Sequence, residues 1–235
     1  MTLDRDRFRG AAERSGLFTA DYAEDVLVRL AHHSSAIEGN TLSLSDTITL
    51  LIDEVTPSGK SVREAYEIQN HREALLLVIE AVASDAALDD RLVRGMHRAL
   101  LDHLLPDRGE YKSSSNLVAG ASFVPTAPEH VAEAMRQWAD QADWQTRHLD
   151  GAALLEAIAA SHINFERIHP FADGNGRTGR LIAVFQLVKR FGVPAVITAD
   201  QRSEYLGLLD AQDARGLATL LARQLALETD RVQRP

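Results

Sequence analysis

The 235-residue sequence contains no cysteine. That excludes disulfides, thiolate zinc sites, iron–sulfur clusters and a cysteine nucleophile. Long apolar runs are also missing. Ala74 to Ile79 stops at Glu80, and Leu181 to Phe185 stops at Gln186. Neither approaches the roughly 20 residues a membrane-spanning helix needs. The charged start, Met1 to Gly10, lacks the apolar centre of a targeting signal. Positive charge is the minority, with Lys plus Arg at 25 against Asp plus Glu at 34 and a net charge of −9. An acidic balance of this kind argues against nucleic-acid binding by counterion release. What remains is an ordinary globular composition, 45% apolar and 25% charged, long enough for one compact domain with a small extension. A reducing, cytoplasmic location is expected, with no nucleic-acid or membrane partner.

Proline (7) and glycine (14) are sparse, and most fall between segments with helical periodicity, so the expected fold class is all-α. Helices are expected near 21–38, 43–54, 60–83, 89–103, 127–145, 150–166, 175–191, 200–212 and 216–229. Asp21 is a plausible first cap, and Gly39-Asn40 suits that helix's end. Ser61 with Glu64 has capping-box spacing. Gly192 and Pro194 close the helix that begins at 175. The stretch from Asn116 to Pro125 breaks the helical pattern and reads either as a small β-hairpin or as an irregular loop. The domain plan is an N-terminal helical region over 1–58, a core over 59–229 and a frayed tail over 230–235.

The densest chemistry lies in Ile168 to Arg180, where a histidine, an aspartate, an asparagine and two arginines sit between two apolar helices. Gly174 and Gly176 let a ligand approach the main chain. The amides from Gly174 to Arg177 open a helix, have no partners within it and carry its positive dipole end, which suits phosphate. Arg177 and Arg180 are three apart, share a face and can clamp phosphate oxygens. Asp173 becomes an adequate Mg²⁺ ligand if nucleotide phosphates supply further oxygens. His169 can take a proton from an attacking hydroxyl. The Walker and Rossmann phosphate loops do not fit, for want of the lysine and of a preceding strand.

The run His169-Pro-Phe-Ala-Asp-Gly-Asn-Gly-Arg-Thr-Gly-Arg180 resembles the signature of the Fic family at every defining position. Gly109 to Lys112, the 116–125 segment, Met135 and Trp138, and Glu67 to Ala74 extend the resemblance over about 30–225. It implies a Fic-type helical core with a β-hairpin flap over the active site, and an enzyme that transfers AMP from ATP to a Ser, Thr or Tyr hydroxyl of a protein. ATP is the implied co-substrate and Mg²⁺ the implied metal. His169 is then the general base, Phe171 the loop anchor and Asp173 the Mg²⁺ ligand. Gly174, Asn175, Gly176, Arg177 and Arg180 hold the phosphates. Leu117, Val118, Ala119, Gly120, Ala121, Ser122 and Phe123 form the flap that pairs with the target as an added strand. Phosphorylating relatives carry lysine at the second glycine, and an intact Gly176 favours AMP transfer.

Farther upstream, Glu38 ends a helix, where a carboxylate opposes the dipole, and Ser34 shares its face. By itself this segment reads as a solvated helix end. Within the resemblance, Ser34-x-x-x-Glu38-Gly39 is similar to the inhibitory motif of the subclass with an N-terminal inhibitory helix. The implication is a Glu38–Arg180 ion pair that spoils γ-phosphate placement. The same glutamate could instead aim water at a modified protein and remove AMP, and a non-catalytic regulatory or toxin–antitoxin module is a third reading. The protein substrate is unidentified, and self-modification and a homodimer stay open. His32, His33, His97, His103, His162 and Asn164 are given no catalytic role. Trp138 and Trp144 are expected to be core or partly buried anchors. Tyr205 is either core or a neighbour of the base. Lys112 stands where relatives often carry arginine, which leaves its role open.

Overall fold

The computed structural model describes residues 5–116 and 123–233. Ten α-helices make up the described fold: α1 (Arg5–Ser15), α2 (Ala20–Ile37), α3 (Leu44–Leu51), α4 (Val62–Ala83), α5 (Asp90–Leu100), α6 (Pro128–His148), α7 (Gly151–Ile168), α8 (Asn175–Phe191), α9 (Arg202–Asp210) and α10 (Ala214–Gln233). No strand occurs among the described residues. The expected hairpin at 117–122 lies outside them. No helix among them is long and apolar enough to cross a membrane.

The local chemistry explains the boundaries. Ser61 and Ser43 each form a reciprocal capping box, with Glu64 and Asp46. Gly192 closes α8 in the left-handed region at φ 75°, where glycine pays no Cβ penalty. Four expectations are corrected. The cap of α2 is Thr19, whose hydroxyl accepts from the Tyr22 amide at 3.2 Å, rather than Asp21. The third helix stops at Leu51 and the fifth at Leu100, earlier than their apolar patterns suggest. The last helix starts at Ala214 and runs to Gln233, longer at both ends than the expected 216–229. Finally, α1 was not anticipated, because an otherwise polar segment buries only Phe8 and Ala12, spaced four apart on one face.

The centre of the molecule is α8. Thirteen of its residues, Asn175, Arg177–Val188 among them, are buried, so it lacks the solvent-facing stripe of a surface helix. It packs on α4, α5 and α7, and α7 in turn lies against α6 and α10. One apolar cluster joins α1, α2, α4, α5 and α6 to one flank of α8, with Phe165, Phe171 and Phe185 fully enclosed. A second cluster joins α7 and α10 to the other flank through Leu187, Leu217 and Leu220. Close packing on both sides fixes the N-terminus of α8 as a rigid platform.

Candidate active site

The site forms where α7 gives way to α8. His169 caps α7 with φ 49° and ψ 61°, a left-handed conformation costly for a non-glycine residue. Gly174 caps α8 with φ 79°. The intervening loop is pinned from several directions. Asn175 accepts from the Phe171 amide and donates to the Phe171 carbonyl, each at 2.9 Å. Thr178 donates its hydroxyl to the Gly174 carbonyl at 2.8 Å. The buried Phe171 ring stacks on His97 with centroids 3.8 Å apart and planes 5° apart.

His97 is a brace that sequence reasoning missed. Its Nε2–H donates to the Asp173 carbonyl at 2.9 Å, and its Nδ1 accepts from the Gly109 amide at 2.7 Å. Burial lowers its pKa to about 4, so the ring stays neutral in that single tautomer. Lys112 and Asn116 were likewise unassigned. The Lys112 amide donates to Pro170 O at 2.9 Å, its Nζ donates to Asn116 Oδ1 at 2.7 Å, and Asn116 Nδ2 donates to Phe171 O at 3.0 Å. None of the three carries a local sequence signal, because the loop carbonyls they bond, at Asp173, Pro170 and Phe171, lie far along the chain.

His169 Nδ1–H donates to the Glu166 carbonyl at 3.2 Å, which leaves Nε2 as the basic nitrogen. Burial and the Lys112 ammonium hold its pKa below the usual histidine value, against the pull of that carbonyl bond. Arg177 is 4% exposed, and its Nε and Nη1 have no hydrogen-bond partner. Its nearest carboxylates are Asp173 at 3.7 Å and Glu67 at 3.8 Å. Buried donors left unpaired are costly unless a ligand meets them. Arg180 is fully engaged on one edge. Its Nε donates to Ser34 Oγ at 3.1 Å, and its Nη2 donates to Ser34 O at 2.9 Å and to Glu38 Oε1 at 2.7 Å. Burial works to raise the Glu38 carboxyl, but the Arg180 charge and hydrogen bond, with Arg177 behind them, bring it below the usual range. A Cβ on Gly176 would meet the Glu38 carboxylate, so a side chain at 176 would push that carboxylate from its present seat.

A cavity of about 420 Å³ opens onto this group. Glu38, Glu166, His169, Gly176 and Arg180 line it together with Ile163, Leu206 and Leu209. A few charged groups among apolar side chains in one cavity suit a nucleotide-sized ligand. Phe123 borders it under the Arg167 guanidinium, 4.6 Å from the ring centroid; the rest of the expected flap set, Leu117, Val118, Ala119, Gly120, Ala121 and Ser122, lies outside the described residues. Asp173 is half-exposed, and one oxygen accepts from the Gly174 amide at 2.6 Å while Arg63 approaches the other at 3.3 Å. No group of three or more His, Asp or Glu side chains able to hold a metal occurs among the described residues. The donor set is thus one carboxylate, which fits Mg²⁺ only when nucleotide oxygens arrive with it.

Several expectations need adjusting. Asn175 gives its side chain to the loop, so only its backbone amide can face a phosphate. Trp138 is buried and donates to Ser161 O at 2.8 Å, but Trp144 is 56% exposed against His148 rather than an anchor. Tyr205 is core, fully buried, with His162 Nε2 at 2.7 Å from its hydroxyl and Arg180 over its ring.

Comparison with known proteins agrees with this arrangement. Residues 87–187 match the Fic/DOC family. The chain is 34% identical over 187 residues to protein adenylyltransferase fic-1 of Caenorhabditis briggsae, covering 76% of this chain and 35% of that protein. It is 34% identical over 202 residues to protein adenylyltransferase Fic of Nematostella vectensis, covering 82% and 45%. The chain thus spans about a third to a half of the length of these curated relatives. Among solved structures, a Fic-domain signaling protein from Bacteroides thetaiotaomicron superposes with TM-score 0.78 at 25% identity, covering 95% of this chain and 94% of that one. Fic-1 from C. elegans also gives 0.78 at 25% identity, covering 97% and 70%.

Proposed function

The chain belongs to the Fic/DOC family, and we propose that it transfers AMP from ATP to a hydroxyl group of a protein and is held in check by Glu38. The observation that carries this reading is the Glu38–Arg180 contact at 2.7 Å, within the cavity that also holds His169 and Gly176. The α-phosphate would lie at the amides that open α8, where partnerless N–H groups and the helix dipole favour negative charge. The target hydroxyl attacks the α-phosphorus, the bond to the β-phosphate bridge breaks, and pyrophosphate leaves. His169 Nε2 takes the hydroxyl proton. Its depressed pKa keeps it neutral and ready near pH 7. Arg177, with two unpartnered nitrogens, would neutralise phosphate charge, and Arg180 would grip the γ-phosphate once Glu38 lets go. Asp173 would hold Mg²⁺, which when bound supplies further charge neutralisation. Most of the catalysis in such a site comes from positioning and charge stabilisation.

The chain's own geometry supports the brake. Ser34 and Glu38 both lie on α2 or its cap and engage one arginine of α8. A γ-phosphate and Glu38 cannot both occupy Nη2. A second reading draws on the same residue. The Glu38 side chain is 40% exposed at the cavity edge, where it could aim a water at an AMP-modified protein and so remove AMP.

The test uses ATP labelled on the α-phosphate, Mg²⁺, purified protein and a cell lysate. The parent, Glu38→Gly and Glu38→Gly/His169→Ala are compared. Label on protein with Glu38→Gly, weak with the parent and absent with the double variant, is the expected pattern. Equal labelling by the parent and Glu38→Gly would remove the brake from the account. No label from any of them, together with Mg²⁺-dependent AMP release by the parent from a modified protein, would put the second reading first.

A further inference from the structure

Glu166 lies one helical turn before His169 on α7, and the reaction above gives it no task. Its Oε1 is closed off from solvent and has no hydrogen-bond partner. It rests against the backbone of Gly179, where any added side chain would strike it. It also borders the cavity that Glu38, His169 and Arg180 share. From α8 it faces Arg180, and from α2 it faces Glu38. From α9, Tyr205 feels its charge. On α7 itself, His162 meets the same face of Gly179, and Arg167 and His169 stand beside it in sequence. Arg202 and Asp210 line the cavity farther round.

An ionised carboxylate with an enclosed, unbonded oxygen is strongly disfavoured. Burial and the Glu38 charge push the Glu166 carboxyl up to about 8, against the pull of Arg180. Two carboxyl groups thus address one guanidinium. Glu38 holds it through a direct bond, and Glu166 waits behind as the neutral acid.

Resting on the reading of this cavity as an ATP site braked by Glu38, we propose that Glu166 is a positioning residue that competes for Arg180, so that capture of a nucleotide's terminal phosphate by Arg180 draws one proton onto Glu166. The reasoning follows three charge states. With Glu38 in place, Arg180 is neutralised and Glu166 keeps its proton. With Glu38 gone and no nucleotide bound, the bare guanidinium favours ionised Glu166. When a polyphosphate arrives, its charge replaces that need, and the carboxylate must be protonated again. Binding that takes up a proton weakens by at most about tenfold per pH unit between the carboxyl's pKa in the free protein and its higher pKa in the complex.

The test is isothermal titration of Glu38→Gly and Glu38→Gly/Glu166→Gln, between about pH 6 and 9. The probe is an ATP analogue whose α–β bridge cannot be cleaved, with Mg²⁺. Two buffers of different ionisation heat report proton uptake directly. Glu38→Gly should take up a fraction of a proton that peaks between the Glu166 titrations of the free and bound states and falls away on either side, with affinity dropping by at most about tenfold per unit inside that window. The double variant, isosteric and permanently neutral at 166, should take up none and bind equally across the range. A merely structural role for Glu166 would lower affinity at every pH alike and leave the proton count unchanged, which would overturn the proposal, as would equal uptake by both variants or none by either. Failure of the analogue to bind either variant would remove the nucleotide-site reading and this proposal with it. A nucleotide-free check separates the two: with ¹³C-labelled glutamate carboxyls, the Glu166 titration should move to lower pH on Glu38→Gly. An unmoved midpoint refutes the competition even if ATP binds.

Discussion

Replacing Gly174 with alanine attacks the seat of the phosphate loop without touching a charged group. Two penalties add. The backbone there has φ 79° and ψ 9°, and holding an L-residue in the left-handed region costs about 1–2 kcal/mol. The new Cβ would also sit 2.5 Å from Leu101 Cδ2 and 3.0 Å from its Cγ. Overpacking of that severity costs about 1–3 kcal/mol. The sum is about 2–5 kcal/mol, or a Tm lowered by about 4–20 °C at this chain length. Urea or thermal unfolding followed by circular dichroism reads it directly. Leu101→Ala then separates the two penalties. Alone it leaves a cavity worth about 2–5 kcal/mol. In the double variant the alanine methyl enters space the leucine vacated, so the clash vanishes and only the backbone penalty persists. The pair should therefore be less destabilised than the sum of the singles by about 1–3 kcal/mol. Additivity within about 0.5 kcal/mol, or a Gly174→Ala shift under about 2 °C, would show that Leu101 does not set the glycine requirement.

Four other outcomes are expected. His71, His97 and His162 are buried, with pKa values lowered by burial to about 3, 4 and 4; the unfolded chain protonates them near 6.5, so stability is present above that pH and lost as pH falls below it. Each contributes up to about 1.4 kcal/mol per pH unit, so urea midpoints should drop steeply from pH 6.5 to 5; a flat profile there counts against their neutral burial. AMP transfer by Glu38→Gly should hold down to about pH 6.5 and decline below it, because His169 must be unprotonated and its pKa lies beneath the ordinary value. Lys112→Met removes a cation that lowers that pKa, so the acid limb should move to higher pH, and an unmoved limb would dissociate Lys112 from the base. Ser34→Ala deletes the acceptor of Arg180 Nε at 3.1 Å but leaves the Ser34 carbonyl and Glu38 on Nη2. Labelling should rise by about tenfold or less, short of Glu38→Gly, and an equal rise would shift the brake from the carboxylate to the hydroxyl.

The parts of this protein that were legible in its sequence are those with local causes. Helix periodicity, the Ser61 capping box and the Gly192 stop depend on neighbours within a few positions, and the structure follows them. The signature run was legible for the same reason: its glycines, arginines and histidine sit within twelve residues. The Glu38–Arg180 contact spans 142 positions, and only the family resemblance suggested it, since a glutamate at a helix end reads by itself as solvated. Elements governed by tertiary neighbours were not legible. Polar α1 is held by Phe8 and Ala12 on the core and by Arg5 and Arg9 around Glu24. His97 was given no role on its sequence spacing, because its two ring nitrogens meet backbone groups at Gly109 and Asp173 that only the fold brings to it.

Those tertiary braces explain why the signature can hold so strained a turn. His169 and Gly174 are both left-handed, with only four residues between them. Glycine adopts that conformation freely, whereas at His169 it costs about 1–3 kcal/mol. A free loop would relax by returning His169 to the helical region, swinging its ring off the cavity. Relaxation is blocked because the following residues are bonded on both sides: Pro170 and Phe171 to Lys112 and Asn116, Phe171 also to Asn175, and Asp173 to His97. The strain is therefore the means by which Nε2 is aimed, and the bonds that hold it come from α5 and from the segment that leads to 117–122. An acid–base group fixed in advance need not reorganise during reaction, which is where electrostatic catalysis gains its advantage. On the proposed reading the motif supplies the acting groups, and the braces outside it hold them in place beforehand.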